Sequence, residues 1–343
     1  MECGYIKVRP RWVKPSQGPI SQLRNALATQ QHKRCDSLLR LVLIDGERPN
    51  RHAERAEQFS QTMCNPHPAR SWIWAAVLLS TLPGAARADD QPFLTLYTTD
   101  IDTQYEKEIE QSFHWATQKP HQAFNGWLSR TEFEYGVTDD LQLSGYFNYE
   151  WERSHPHPPG TPDETWQATS VSGEVIYRLL NPYFDPFGLA LYFEPTFGDN
   201  MRELEAKILF QKNFFNDTIR VAGNLNFEDV WEREGGQWSK GSAVEFFAGA
   251  AYNLTPEWSI GVEFNNENDF EGLVGSSQPG TTAYYLGPTI SYVGLPFTVL
   301  LGTQFQMPWS SDHSGAPGSV SHGYLADAER LRLGVRLKMD LPY

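Results

Sequence analysis

The last thirteen residues, 331–343, read LRLGVRLKMDLPY and alternate strictly between two kinds of side chain. Apolar or aromatic residues occupy every odd position, whereas the even positions hold arginine, glycine, lysine, aspartate and proline. A period of two over this length predicts a β-strand with one apolar face and one charged face. A strand that crosses a membrane needs about 9–11 residues, with lipid on one side and polar groups on the other. The stretch therefore predicts a transmembrane β-barrel.

A secretory signal peptide is predicted upstream of the barrel. Residues 71–79 (SWIWAAVLL) form a short apolar run that is followed by the small-residue sequence ARA at 86–88. This order of apolar core and cleavage site indicates a signal peptide at 63–88, and the run is too short for a transmembrane helix of about 20 residues. Residues 1–62 are then either an artefact of a mis-called start, with translation beginning at Met63, or an unusually long, disordered leader.

Charge and cysteine content exclude several classes of function. The chain holds 28 Lys+Arg and 42 Asp+Glu, of which residues 1–88 contain 13 and 6. Residues 89–343 are therefore strongly acidic, which argues against nucleic acid as a partner. All cysteines (Cys3, Cys35 and Cys64) precede residue 89, so no disulfide framework or thiol chemistry is predicted beyond it.

Twelve β-rich segments follow, without any sustained period of 3.6. The predicted strands are 106–115, 125–136, 141–151, 166–178, 187–197, 202–212, 218–231, 241–253, 257–266, 281–293, 296–307 and 328–339. Their connections alternate between mostly short turns and mostly long polar loops, as in barrels with a periplasmic and an outer side. We therefore predict an all-β chain, a closed antiparallel barrel of about 12 strands over 105–343. A short N-terminal periplasmic segment at 89–104 precedes it, and the sequence leaves open whether that segment plugs the lumen.

Aromatic residues cluster at the predicted strand ends. On the outer side these are Trp115, Trp127, Trp151, Trp166, Trp231 and Trp309; on the periplasmic side they are Tyr135, Phe214, Tyr252 and Trp258. Aromatic rings prefer the headgroup level of a bilayer, so this placement predicts two girdles around the barrel.

The inward faces of the predicted strands are charged. The side chains predicted to line the lumen are Glu108, Glu110, Arg130, Glu132, Glu134, Glu174, Glu203, Glu205, Lys207, Arg220, Glu228, Arg332, Arg336 and Lys338, with Glu245, Glu263 and Arg330 as further candidates. Closure places the basic last strand beside the acidic first two strands, where opposite charges attract. Two interpretations remain open, namely ion pairs that hold the seam and a polar path that selects solutes by charge. Twelve strands lie between the roughly 8 that side chains fill and the 16–18 that leave a channel, so size does not decide.

Histidines and a Ser–His pair are the remaining candidates for chemistry. The weak candidates for metal ligands are His155, His157, His313 and His322, which fall in predicted outer loops without defined ligand geometry. Ser112 and His114 share a strand face, but neither a third catalytic group nor an oxyanion hole is specified. We therefore predict no metal site, no cofactor and no enzyme, with an outer-membrane hydrolase as the rival class.

Residues 177–198 (YRLLNPYFDPFGLALYFEPTFG) and 207–215 (KILFQKNFF) resemble a group of uncharacterised outer-membrane barrels of Gram-negative bacteria. Relatives in this group are described as transporters of hydrophobic compounds or of aromatic-pathway substrates. The alternating last strand, which ends on Tyr343, is similar to the sorting signal of such barrels. The resemblance implies insertion by the barrel-assembly machinery through that strand, and it carries over no functional residue.

Together these patterns predict a narrow porin or transporter in the cell outer membrane that passes a small solute through a charged lumen. The expected partners are outer-membrane lipid, the assembly machinery and an unidentified small solute. The alternative is a structural or binding surface barrel that does not conduct.

Overall fold

A computed structural model describes residues 91–119, 122–156, 163–234, 236–274, 279–313 and 318–342. Its strands are β1 (Lys107–Thr117), β2 (Gln122–Thr138), β3 (Leu141–Pro156), β4 (Asp163–Leu180), β5 (Gly188–Gly198), β6 (Met201–Phe214), β7 (Ile219–Glu234), β8 (Gln237–Asn253), β9 (Trp258–Glu271), β10 (Pro279–Gly294), β11 (Phe297–Gln306), β12 (Ser311–Asp312), β13 (Val320–Ser321), β14 (Tyr324–Leu325) and β15 (Leu331–Asp340). The predicted signal peptide, the upstream extension and Tyr343 lie outside the described residues. No helix with the length and hydropathy to cross a membrane occurs in the described part of the chain.

Twelve of the described strands, β1 to β11 and β15, form a closed antiparallel barrel. The first eleven pair in sequence order, and β15 closes the sheet between β11 and β1. Across this seam, Glu108 lies opposite Asp340, and Phe297 lies opposite Met339. Closure gives every barrel strand two partners, which a sheet in hydrocarbon requires. The prediction of an all-β closed barrel of about twelve strands is confirmed.

The barrel is apolar outside and polar inside. On β3, Phe147 and Tyr149 are 50% and 40% exposed, whereas Asn148 and Glu150 beside them are 5% and 8% exposed. A soluble protein buries the first kind of side chain and exposes the second. The inverted arrangement is that of a barrel surrounded by lipid.

Aromatic girdles mark both edges of the apolar band. Trp115, Trp127, Trp151 and Trp166 lie side by side in the register of β1 to β4, and the rings of Trp115 and Trp127 stack at 5.9 Å. At the other edge, the ring of Trp258 packs 4.9 Å from that of Tyr292. These rows lie toward the two ends of the strands, where the predicted aromatic girdles require them.

Strands on the outer side are longer than the alternation predicts. The predicted loops at 152–165, 232–240 and 267–280 are in large part continuations of hairpins, since β3 runs to Pro156 and β9 to Glu271. Beyond the lipid both faces of a strand meet water, so alternation is no longer needed. Pairing nevertheless still satisfies the backbone N–H and C=O groups. The opposite side has the predicted connections of few residues, at 139–140, 181–187, 215–218, 254–257 and 295–296.

Residues 91–103, termed the lumen segment, run as extended chain inside the barrel. Phe93, Leu94 and Leu96 are 0%, 2% and 1% exposed. Gln142, which binds the segment, is the second residue of β3, and Gln211, which also binds it, lies near the end of β6. The segment therefore fills the half of the lumen nearest the short turns.

The described parts of the long outer connection, residues 307–313 and 318–330, fold over the other mouth. Leu325 and Ala328 pack with Tyr285 of β10 in a buried apolar cluster. The Tyr285 hydroxyl donates to the carbonyl of Glu329 at 3.2 Å. Both ends of the lumen are thus narrowed by chain that lies outside the barrel strands.

Candidate functional site: the charged lumen

The predicted lumen-lining residues lie on the inward faces of the strands. Seven glutamates among them are buried, with exposures between 1% and 7%: Glu108, Glu110, Glu132, Glu134, Glu174, Glu205 and Glu228. Lys207, Arg220 and Lys338 are also buried, and Arg130, Glu203, Arg332 and Arg336 are partly buried on the same faces. Of the further candidates, Glu245 and Glu263 are buried on inward faces, whereas Arg330 precedes β15 and stacks on Tyr324.

Basic side chains of β15 meet glutamates of β1 and β2 at the seam. Lys338 Nζ lies 2.6 Å from Glu108 Oε2 and 3.2 Å from Glu134 Oε2. Arg336 Nε lies 3.1 Å from Glu110 Oε1. Neighbouring strands therefore carry opposite charges across the closure, in a place with little water to screen them.

Arg332 makes a different contact from the one its position on β15 predicts. Its guanidinium binds both carboxylate oxygens of Glu267 on β9, at 2.7 and 3.1 Å, instead of turning to β1. Glu329 and the ring of Tyr285 complete its surroundings, with the guanidinium carbon 3.7 Å from the ring centre. The side chain is long enough to cross the narrow lumen, and a bidentate carboxylate is its preferred partner.

Glu263 of β9 holds the start of the lumen segment. Its carboxylate accepts the backbone N–H groups of Leu94, Thr95 and Leu96 at 2.8, 2.9 and 2.8 Å. Arg336 donates to the carbonyl of Leu94 at 3.1 Å. A charged acceptor that receives several backbone donors makes a strong contact, because each bond is charge-assisted.

Amide side chains of the wall hold the rest of the segment. Asn224 accepts from the N–H of Tyr97 at 2.7 Å and donates to its carbonyl at 2.8 Å. Gln211 accepts from the N–H of Thr99, and Gln142 accepts from the N–H of Asp102, both at 2.8 Å. These side chains replace the strand partner that an extended backbone would otherwise need.

Inward glycines give the lumen segment its room. A Cβ at Gly136 would lie 1.9 Å from the carbonyl oxygen of Thr103, and one at Gly334 would lie 2.3 Å from Leu94 Cδ1. Gly188 and Gly302 make similar close approaches to Thr99 and Leu94. The small residues of the wall therefore coincide with the path of the segment.

Replacing Gly136 by alanine is expected to detach the end of the lumen segment. The new methyl group would meet backbone at Thr103, which cannot swing aside as a side chain can, at a cost of about 1–3 kcal/mol. A cysteine at position 98, where threonine is fully buried, then becomes more reactive toward a water-soluble maleimide. Gly173→Ala on β4 is the matched control, because nothing lies within 4 Å of the added carbon. Equal labelling of the two variants would contradict the expectation.

A cluster of aromatic and charged groups lies at mid-lumen beside the segment. The rings of Tyr97 and Tyr192 meet edge-to-face at 5.1 Å, and Lys207 Nζ lies 4.3 and 4.0 Å from their centres. The Tyr192 hydroxyl donates to the Glu194 carboxylate. Oε1 of that carboxylate lies 3.7 Å from Arg130 Nη2. Cationic, aromatic and anionic groups thus pack directly against one another beside the segment.

A small polar cavity, partly open and with room for about one water molecule, lies between the lumen segment and the wall of β1 to β4. Gln91, Tyr97, Gln142, Arg336 and Lys338 line it together with four glutamates, which are Glu110, Glu132, Glu134 and Glu174. Most of the groups predicted at the seam therefore surround one small, partly open cavity.

The predicted sites for other chemistry are not assembled in the described residues. The carboxylate groups there that are spaced to hold a metal ion contain no histidine. His313 is exposed beside Ser311, whereas His157 and the side chain of His155 lie outside the description. Ser112 is 4% exposed and lies opposite Arg130 and Arg336 in the register of β1.

Residues 85–340 match the model of one protein family, described as a family of unknown function (DUF6662). The chain belongs to this family. No curated protein matches the sequence.

Solved structures similar to this DUF6662 chain are outer-membrane barrels. The COG4313 outer membrane channel from Pseudomonas putida F1 has a TM-score of 0.51 at 11% identity, over 74% of this chain and 99% of that one. The NalP autotransporter translocator domain from Neisseria meningitidis has a TM-score of 0.47 at 12% identity, over 71% and 91%. The NanC porin has a TM-score of 0.41 at 10% identity, over 69% and 100%. The first of these likenesses shows a shared barrel fold.

The groups that the sequence did not reveal are those of the lumen segment. Phe93, Leu94 and Leu96 belong to no alternating strand, so periodicity assigns them no place. The available signal was the row of inward glycines, which marks a level of the barrel where the wall leaves room.

Proposed function

We propose that the protein is a narrow, gated pore of the outer membrane that passes small polar solutes and favours cations. The observation that carries this proposal is the way the lumen is closed. Wall side chains, including Glu263, Asn224 and Gln211, hold an extended segment that pairs with no barrel strand. Such a segment can leave its place without breaking a strand pairing of the barrel.

The charge of the wall supports a preference for cations. The described barrel strands bury twelve glutamates, which are Glu108, Glu110, Glu132, Glu134, Glu150, Glu152, Glu174, Glu194, Glu205, Glu228, Glu245 and Glu263. Basic side chains on the same faces are fewer, namely Arg130, Arg178, Lys207, Arg220, Arg332, Arg336 and Lys338. Carboxylate-rich linings select cations, because they replace part of the hydration shell and raise the local cation concentration.

Single-channel recording in a planar bilayer tests this proposal. The full chain is expected to give rare, small steps, and a variant without residues 92–102 is expected to give steps several-fold larger. Under a salt gradient across the bilayer, the sign of the reversal potential should show that cations pass more readily than anions. Heat-modifiable migration on a gel shows that both proteins are folded barrels. Silence of both folded proteins would overturn the proposal.

A non-conducting structural or binding barrel is the second candidate. It is favoured by the outer connection at 307–330, whose residues Leu325 and Ala328 are buried against the mouth. In that case removal of the lumen segment leaves the bilayer silent, because the outer mouth stays closed.

A further inference from the structure

We propose that the lumen wall beside the seam, at strands β1 and β2, holds a divalent cation of the size of Ca²⁺ between Glu110, Glu132 and Glu134. One carboxylate oxygen from each of these three residues lies within 4.8 Å of the others. Ca²⁺–oxygen bonds of 2.3–2.6 Å bridge oxygens up to about 4.6–5.2 Å apart, so one ion reaches all three oxygens after small adjustments of the side chains. The residues are placed by the pairing of β1 with β2, in which Glu110 lies opposite Glu132.

Charge around the site is unbalanced. The cavity beside it is lined by four glutamates and by two basic residues, Arg336 and Lys338. Arg336 pairs with Glu110, and Lys338 pairs with Glu134 and Glu108. Four carboxylates of the cavity lining therefore share two basic side chains.

Glu132 and Glu174 supply the independent sign of a missing ligand. Glu132 is 6% exposed, takes part in no ion pair among the described residues, and has three carboxylates among its charged neighbours. Its basic neighbours are Arg130, which lies 3.7 Å from Glu194, and Arg336, which pairs with Glu110 at 3.1 Å. Glu174 is 2% exposed, and its Oε2 has no hydrogen-bond partner within the described chain. The buried, unpartnered Oε2 of Glu174 on the cavity wall is the kind of oxygen that a bound cation would satisfy.

Hard oxygen ligands identify the class of ion. Carboxylates without nitrogen or sulfur donors suit Ca²⁺, Mg²⁺ or Mn²⁺ rather than zinc or copper. Ca²⁺ accepts an irregular set of oxygen ligands, whereas Mg²⁺ demands shorter bonds in a stricter octahedron, so Ca²⁺ is the ion proposed. The side-chain oxygens of Gln91 and Gln142 line the cavity, and each has a second lone pair beside the hydrogen bond it already accepts, so either would serve as a further ligand together with water.

The ion would tie the lumen segment to the wall. Glu134 accepts a hydrogen bond from Gln142 Nε2 at 3.0 Å, and Gln142 Oε1 accepts from the N–H of Asp102 in the segment. Asp102, Glu108 and Glu134 form a second carboxylate group of the same spacing. Occupation of the site should therefore stabilise the closed lumen, and the proposal holds whether or not the lumen conducts.

Calorimetric titration of Ca²⁺ into the full chain in detergent, after chelator treatment, tests the site. Wild type is expected to bind one ion saturably and to unfold at a higher temperature when loaded. Glu132→Gln should weaken binding at least tenfold, whereas Glu132→Asp, which keeps the charge, should weaken it less. Glu150→Gln on β3 is the matched control, a buried lumen glutamate outside the cluster, and should bind as wild type does.

Two results would overturn the proposal. One is the absence of saturable Ca²⁺ binding to the folded wild-type protein. This result does not depend on whether any variant folds. The other is an equal loss of affinity in Glu132→Gln and Glu150→Gln, which would indicate a diffuse attraction to the acidic lumen. Because binding is measured without a bilayer, failure of the site and failure of the pore are distinguished.

Discussion

Replacing Glu263 by alanine is expected to release the lumen segment from the barrel wall. The carboxylate accepts three consecutive backbone N–H groups, from Leu94, Thr95 and Leu96. Each buried donor left without a partner costs about 1–3 kcal/mol, so the docked state loses at least about 3 kcal/mol. At tenfold per 1.4 kcal/mol, the population of the released state rises by more than about a hundredfold.

Thiol labelling measures this release. Thr98 is fully buried, and the native cysteines Cys3, Cys35 and Cys64 can be replaced by serine so that Thr98→Cys is the only thiol. The maleimide reaction at position 98 should be slow in the parent and fast in the Glu263→Ala variant. Glu245→Ala is the control, since Glu245 lies on the inward face of the neighbouring strand and accepts from Asn226. A labelling rate that Glu263→Ala leaves unchanged would show that the segment is held by other contacts.

Replacing Lys338 by methionine is expected to weaken the closure of the barrel. The ammonium group pairs with Glu108 at 2.6 Å and Glu134 at 3.2 Å, and all three side chains are at most 10% exposed. Removing one partner of a buried ion pair costs about 3–5 kcal/mol, because the remaining charges stay buried. The temperature at which the folded gel band converts to the unfolded band should fall by roughly 10 °C.

Two variants show whether this effect belongs to the seam. Lys338→Arg keeps the charge and should retain most of the stability. Lys240→Met removes an exposed lysine from β8 and should change the conversion temperature little. If Lys338→Met converts at the wild-type temperature, the ion pairs at the seam do not contribute to closure.

The strands and their faces could be predicted because lipid and lumen impose opposite demands on successive residues. Phe147 and Asn148 illustrate this, since neighbouring positions are half exposed and almost fully buried. The same rule fails above the membrane, where β3 and β9 continue through polar sequence that no longer needs to alternate. In that region, backbone hydrogen bonds between neighbouring strands determine the structure, and the amino-acid composition does not reveal them.

The partners of the lumen charges could be predicted only where strands are neighbours. The pairs of Lys338 and Arg336 with β1 and β2 follow from closure of the barrel. Arg332 instead reaches across to Glu267, and Glu263 binds backbone that lies 167 to 169 residues away in sequence. Such contacts depend on the width of the lumen and on the path of residues 91–103, and neither follows from a strand pattern.

The apolar side chains of the lumen segment make the shut barrel its resting state. Phe93, Leu94 and Leu96 would meet water if the segment swung out, and each transfer costs about 1.5–3 kcal/mol. Hydrophobic burial alone then keeps open copies at about one in a thousand or fewer. The proposed pore would therefore leak little even when it is abundant in a membrane, because the rate at which the segment swings out, rather than the width of the passage, would limit the flow of solute.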